Sequence, residues 1–63
     1  MTRNEKCMVA AIVHKWPEVA PEEIKRWLYR LNSCFNGLSP ASYENNFGQK
    51  RWKKAVAAMK AFN

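Results

Sequence analysis

PEEIKRWLYRLNSCF, residues 21–35, decides the class of fold. Ile24, Trp27, Leu28, Leu31, Cys34 and Phe35 recur at spacings of three and four, and on a helix they form one apolar stripe. Lys25, Arg26, Tyr29, Arg30 and Ser33 fall on the other side, where Glu22 and Arg26 stand four apart as an ion pair. Pro21 suits a first helical turn, and Glu22 and Glu23 place carboxylates against the positive end of the helix dipole. Asn36-Gly37 supplies a left-handed stop. The pattern predicts a helix over residues 21–35.

Upstream, Thr2 or Asn4 can cap a helix over about residues 4–16, with Glu5 in its first turn. Val9, Ile12, Val13 and Trp16 make its apolar face, Met8 and Ala11 widen it, and Pro17 ends it. Downstream, Ser39-Pro40 opens a short linking helix, 40–47, whose Tyr43 and Phe47 share a face. Gly48 interrupts it, and a last helix over 49–62 carries Trp52, Val56, Met59 and Phe62 on one stripe with Ala55 beside it. No alternating strand, Gly-rich phosphate loop or internal repeat is present in the sequence. The expected fold is all-α: a single domain of three main helices and a short linking helix, with a helix-turn-helix-like C-terminal half.

Composition bounds the function. A chain of 63 residues is at most one domain, and its 48% hydrophobic fraction, with three Trp, three Phe and two Tyr, is too rich for a disordered tail. It is too short for a multi-layer enzyme with a water-excluding pocket. His14, the only imidazole, sits on an apolar helix, and the adjacent Glu22 and Glu23 diverge on theirs, so no catalytic residue is expected. Cys7, Cys34 and His14 lack the paired spacing of a zinc site, so no metal and no cofactor are expected. With no secretory signal and no apolar run of the ~18–20 residues a membrane span needs, the chain is expected in a reducing cytoplasm. There the two cysteines stay thiols and act as small buried hydrophobes.

The charge is lopsided. The whole chain carries +6, from 11 Lys and Arg against 5 acids. Residues 1–48 hold six cations and five acids; residues 49–63 hold five cations and none. Lys50, Arg51, Lys53 and Lys54 crowd the start of the last helix, where each cation opposes the dipole by about 0.3–1 kcal/mol. With no compensating acid nearby in the sequence, an external polyanion is the natural counter-charge, and amide donors at a helix start add to its pull.

The stretch L-S-P-A-S-Y-E-N-N-F-G-Q-K-R-W-K-K-A-V-A-A-M, residues 38–59, resembles the small helical DNA-binding repeat associated with homing endonucleases and related phage proteins. The resemblance is carried by Ser39 at a helix start, Tyr43, the Phe47-Gly48 pair and the Trp52-x-x-Ala55-Val56 step. It implies structural roles for Phe47, Trp52 and Ala55, and a nucleic-acid face of Gln49, Lys50, Arg51, Lys53 and Lys54. Two positions depart from the repeat: three residues separate Gly48 from Trp52, and Lys60-Ala61-Phe62 replaces the usual glycine. In its size and basic balance the chain is also similar to small accessory proteins of phages and prophages.

Together these features predict a regulatory or accessory protein that binds nucleic acid, DNA ahead of RNA. It contacts phosphates through Gln49, Lys50, Arg51, Lys53, Lys54 and Lys60, and secondarily through Arg26, Tyr29 and Arg30. Gln can read adenine and Lys or Arg guanine, but these side chains mostly meet phosphate. The broad apolar arc of the first helix suggests a homodimer. The alternative function is a module that inhibits or adapts an acidic host enzyme through its basic and aromatic surface. A third is an amphipathic helix resting on anionic lipid.

Overall fold

A computed structural model describes residues 1–62 and contains four α-helices: α1 (Arg3–Lys15), α2 (Pro21–Tyr29), α3 (Pro40–Phe47) and α4 (Arg51–Ala58). A 3-10 turn, Ser33–Phe35, lies between α2 and α3, and no strand occurs among the described residues. Local chemistry sets most of the boundaries. The Thr2 hydroxyl accepts the Glu5 N–H at 3.2 Å and starts α1. Trp16 closes α1 ahead of Pro17, its N–H still bonded to the Ile12 carbonyl at 2.8 Å. Pro21 occupies the first turn of α2, and Ser39 caps α3 through the Ser42 N–H. Gly48 ends α3 at φ +63°.

The largest correction falls in the second helix, which stops at Tyr29 and not at residue 35. Asn32 is the cause. Its side chain accepts the Cys34 N–H at 2.9 Å and its carbonyl accepts from Phe35 and Gly37. Its own N–H donates to the Leu38 carbonyl at 3.1 Å. A short polar side chain that satisfies the backbone locally competes with helix continuation, and here it wins. The apolar stripe is therefore broken: Phe35 is buried, but Leu31 is 75% exposed and Cys34 lies at the surface. Asn36 and Gly37, both left-handed, close the 3-10 turn instead of a long helix. Cys7 is exposed too, so neither cysteine is the buried hydrophobe expected.

Helix α1 is rotated from its expected phase. Met8 and Ile12 are fully buried and Trp16 nearly so, while Val13 is 43% exposed and Val9 only partly covered. Most of the broad arc is thus covered within one chain. Glu5 shares the buried face, one turn before Met8. The core runs from Met8, Ile12 and Trp16 through Ile24, Leu28 and Phe35 to Ala41, Tyr43, Trp52 and Val56. A chain of ring contacts crosses it: Trp16 to Phe62 at 5.6 Å, Phe62 to Trp27 at 6.1 Å, Trp27 to Phe35 at 6.0 Å and Phe35 to Tyr43 at 5.7 Å. Phe47 extends it, 4.8 Å from the Tyr43 ring, and is itself 54% exposed.

The last helix is shorter than the expected 49–62 span at both ends. Lys50 is left-handed and precedes it, and Met59 is extended and follows it, so Phe62 folds back onto Trp16 and Trp27 from outside the helix. What closes α4 comes from α1. The Lys15 ammonium donates to the carbonyls of Val56 (2.8 Å), Ala57 (3.2 Å) and Met59 (3.0 Å). Those carbonyls lie at the negative pole of the dipole, where helical N–H partners run out, and Val56 also accepts the Met59 N–H at 3.2 Å. Lys15→Met keeps the aliphatic stem and removes the charge. It is expected to lower stability by about 1 kcal/mol, read as a lower urea midpoint at an unchanged m-value.

Candidate nucleic-acid interface

The start of α4 is built on an unusual residue. Lys50 adopts φ +53° and ψ +34°, a region that disfavours any side chain with a Cβ. Its N–H is held by the Glu44 carboxylate at 2.8 Å, from the last turns of α3. Glu44 is buried, only 4% exposed. This corrects the expectation of an uncompensated dipole: a carboxylate four residues upstream of Gly48 lies against the N-terminal end of α4. The sequence conceals it, because Glu44 belongs by periodicity to another helix.

The cations themselves meet neutral groups. Arg51 Nε donates to the Cys34 carbonyl at 2.7 Å, and its guanidinium carbon stands 5.6 Å from the Tyr43 ring centroid. Lys53 Nζ lies 5.9 Å from the Trp52 ring centroid. Gln49 accepts a hydrogen bond from the Tyr43 hydroxyl at 3.3 Å. Among the described residues, no side-chain nitrogen of Lys50, Arg51, Lys53, Lys54 or Lys60 is hydrogen-bonded to a carboxylate, and all five residues are exposed.

The expected contact residues divide among separate surfaces. Gln49, Lys50, Arg51 and Lys54 line one cleft, whose far wall is Cys34 of the 3-10 turn. Lys53 points elsewhere, lining a groove with Ala11, Lys15, Trp52, Val56 and Ala57. Lys60 lies beyond the end of α4. Arg26 and Arg30 line a second cleft with Glu23, Trp27, Phe62 and residues 31–33. Tyr29 is apart from them: half exposed, its hydroxyl donates to Glu5 Oε1 at 2.6 Å. Residues 31–33 thus line one cation-bearing cleft, and Cys34, next in the chain, lines the other. Charge counting found the cations, but the role of residues 31–34 depends on the broken helix and had no sequence signal.

Among the described residues, no cluster of His, Cys, Asp and Glu is placed to hold a metal ion, and no helix is long and apolar enough to cross a membrane. Compared with protein-family models, curated proteins and solved structures, the chain gives no match. Function is therefore argued from the site.

Proposed function

We propose that this protein binds nucleic acid, duplex DNA ahead of RNA, through phosphate contacts in the cleft of Gln49, Lys50, Arg51 and Lys54. The observation that carries the proposal is Lys50. A lysine held left-handed at the mouth of a cationic cleft is strained where glycine would not be, and such strain concentrates at functional sites. Arg51 and Lys54 stand beside it, engaged with neutral groups or with solvent, so a phosphate meets cations that need not first leave an acid. We read α3 and α4, joined by residues 48–50, as a helix-turn-helix-like half that would bring the start of α4 to the DNA. The role we read for it is accessory or regulatory, in the manner of small phage proteins, from a short chain with its cations gathered at an exposed cleft. Lys53 and Lys60 lie outside the cleft and would add long-range attraction only.

Binding by phosphate contact must weaken with salt. Fluorescence anisotropy with a labelled random duplex is expected to give a linear fall of log K with log salt. Lys54→Ala is expected to reduce that slope by about 0.9 while leaving the melting curve unchanged. Lys50→Gly separates strain from function. It is expected to hold or raise stability, by no more than about 1 kcal/mol, while weakening duplex binding. A salt-independent affinity, or undiminished binding by the Lys50→Gly, Lys54→Ala double variant, would overturn the proposal. Retention of an acidic protein partner at high salt with no duplex binding would favour the enzyme-adapting alternative.

A further inference from the structure

We infer that Leu31 is an apolar wedge that enters between base pairs of duplex DNA, flanked by cations that hold the phosphate backbones. The inference rests on the nucleic-acid function proposed above and adds how the duplex is deformed. Leu31 is 75% exposed, the most exposed large apolar side chain among the described residues. It lines the cleft of Arg26 and Arg30, and three residues further along the same turn Cys34 lines the cleft of Lys50, Arg51 and Lys54.

The tip is held firmly. Asn32, the next residue, donates to Leu38, accepts from Phe35 and Gly37 through its carbonyl, and accepts from Cys34 through its side chain. Phe35 anchors the same turn in the core at 1% exposure, and Arg51 ties the Cys34 carbonyl to α4. An apolar group presented on a rigid base loses little conformational freedom on insertion.

The chemistry of the surroundings selects the partner. A protruding leucine beside two arginines fits a surface that combines closely spaced anions with flat apolar faces, and stacked base pairs between two phosphate backbones are such a surface. Minor-groove proteins unstack a step with one inserted aliphatic side chain and clamp the flanks with Arg and Lys. A lipid surface supplies anions and apolar depth too, but holding to it takes a broad apolar face. In its cleft Leu31 is the one exposed apolar side chain: Trp27 and Phe62 are partly buried against the core, and the other lining residues are Glu23, Arg26, Arg30, Asn32 and Ser33.

Wedge insertion unwinds the duplex, so it can be read without knowing a target sequence. A closed circular plasmid is relaxed by a topoisomerase with the full chain present, and its topoisomers are then resolved after deproteinisation. The wild type is expected to shift their distribution in proportion to the amount bound. Leu31→Ser is expected to bind a random duplex within roughly tenfold of the wild type and to abolish the shift. Leu31→Phe is expected to retain it. Because the side chain is exposed, all three proteins should melt alike. Wild-type duplex binding with no shift, or a full shift by Leu31→Ser, would refute the wedge and leave phosphate binding standing. No duplex binding at all would remove both. Sedimentation of the wild type but not Leu31→Ser with phosphatidylserine vesicles, without duplex binding, would assign Leu31 to lipid instead.

Discussion

Trp52→Ala is expected to leave the chain largely unfolded at 25 °C. Helix α4 has eight residues, too few to be stable alone, and its buried side chains are Trp52 and Val56, with Ala55 partly covered. Trp52 is 6% exposed, and truncating a buried tryptophan costs about 3–5 kcal/mol in lost transfer energy and cavity. Total stability at roughly 0.05–0.15 kcal/mol per residue is of similar size for a domain this small. The loss would also release the Val56, Ala57 and Met59 carbonyls from Lys15, so α1 loses a partner along with α4. Circular dichroism should show a collapse of helical signal, or a fall in Tm of more than about 12 °C. Val13→Ala is the control: it truncates an apolar side chain that is 43% exposed, removing two methyl groups, and should melt within a few degrees of the wild type. Equal melting of Trp52→Ala and Val13→Ala would mean that α4 is not held by its apolar face.

The parts of this fold that were legible in the sequence are those governed by short-range stereochemistry. Thr2, Pro17, Pro21, Ser39 and Gly48 mark helix ends by what their own atoms can and cannot do, and each stands where a helix begins or ends. Periodicity was less decisive. Leu28, Leu31 and Phe35 suit a continuing helix, but the pattern says nothing of hydrogen-bond competition, and Asn32 diverts four bonds into a turn. The same limit hid the shortness of α4. Its ends depend on Glu44 and Lys15, polar groups that reach it from α3 and α1. A lysine that bonds a backbone carbonyl 41 residues away leaves no periodic trace.

The candidate site was legible as a charge imbalance and not as a shape. Counting separated residues 49–63 from the rest, and the cations of that segment are at the surface. It could not tell Lys54, inside a cleft, from Lys53 one residue earlier, because a 100° step on a helix sends them to different neighbours. Nor could it show that Leu31 and Cys34 are exposed, each lining a cation-bearing cleft, since periodicity puts both on a buried stripe. An electrostatic argument from sequence locates charge along the chain, whereas binding depends on where the chain turns.

Glu5 is expected to set the acid limit of stability, and Tyr29 to share the alkaline one. Glu5 is 7% exposed and its carboxylate accepts the Tyr29 hydroxyl at 2.6 Å and the Asn45 amide at 2.8 Å, joining α1 to α2 and α3. The Tyr29 hydrogen bond, then that of Asn45, holds the carboxyl below its ordinary value of 4.5 against the opposing effect of burial. A depressed carboxyl stabilises the fold fully above the unfolded value, and that share is lost as pH falls from about 4.5 through the folded one. Tyr29 moves the other way. Its hydrogen bond to Glu5, with burial and the carboxylate charge, raises the phenol above 10.0, so its share is present below that pH and is lost as pH rises through the folded value. One contact therefore titrates from both sides, and Tm should be flat in between. Glu5→Gln preserves the shape but not the charge. It is expected to cost about 1.5–3 kcal/mol near neutral pH, the size of a charged hydrogen bond, and to flatten the acid limb. Tyr29→Phe should flatten the alkaline limb and weaken the acid one, because it removes the first cause of the Glu5 shift. If Glu5→Gln loses stability in acid as steeply as the wild type, the pH response arises elsewhere and the three-helix junction is held by packing alone.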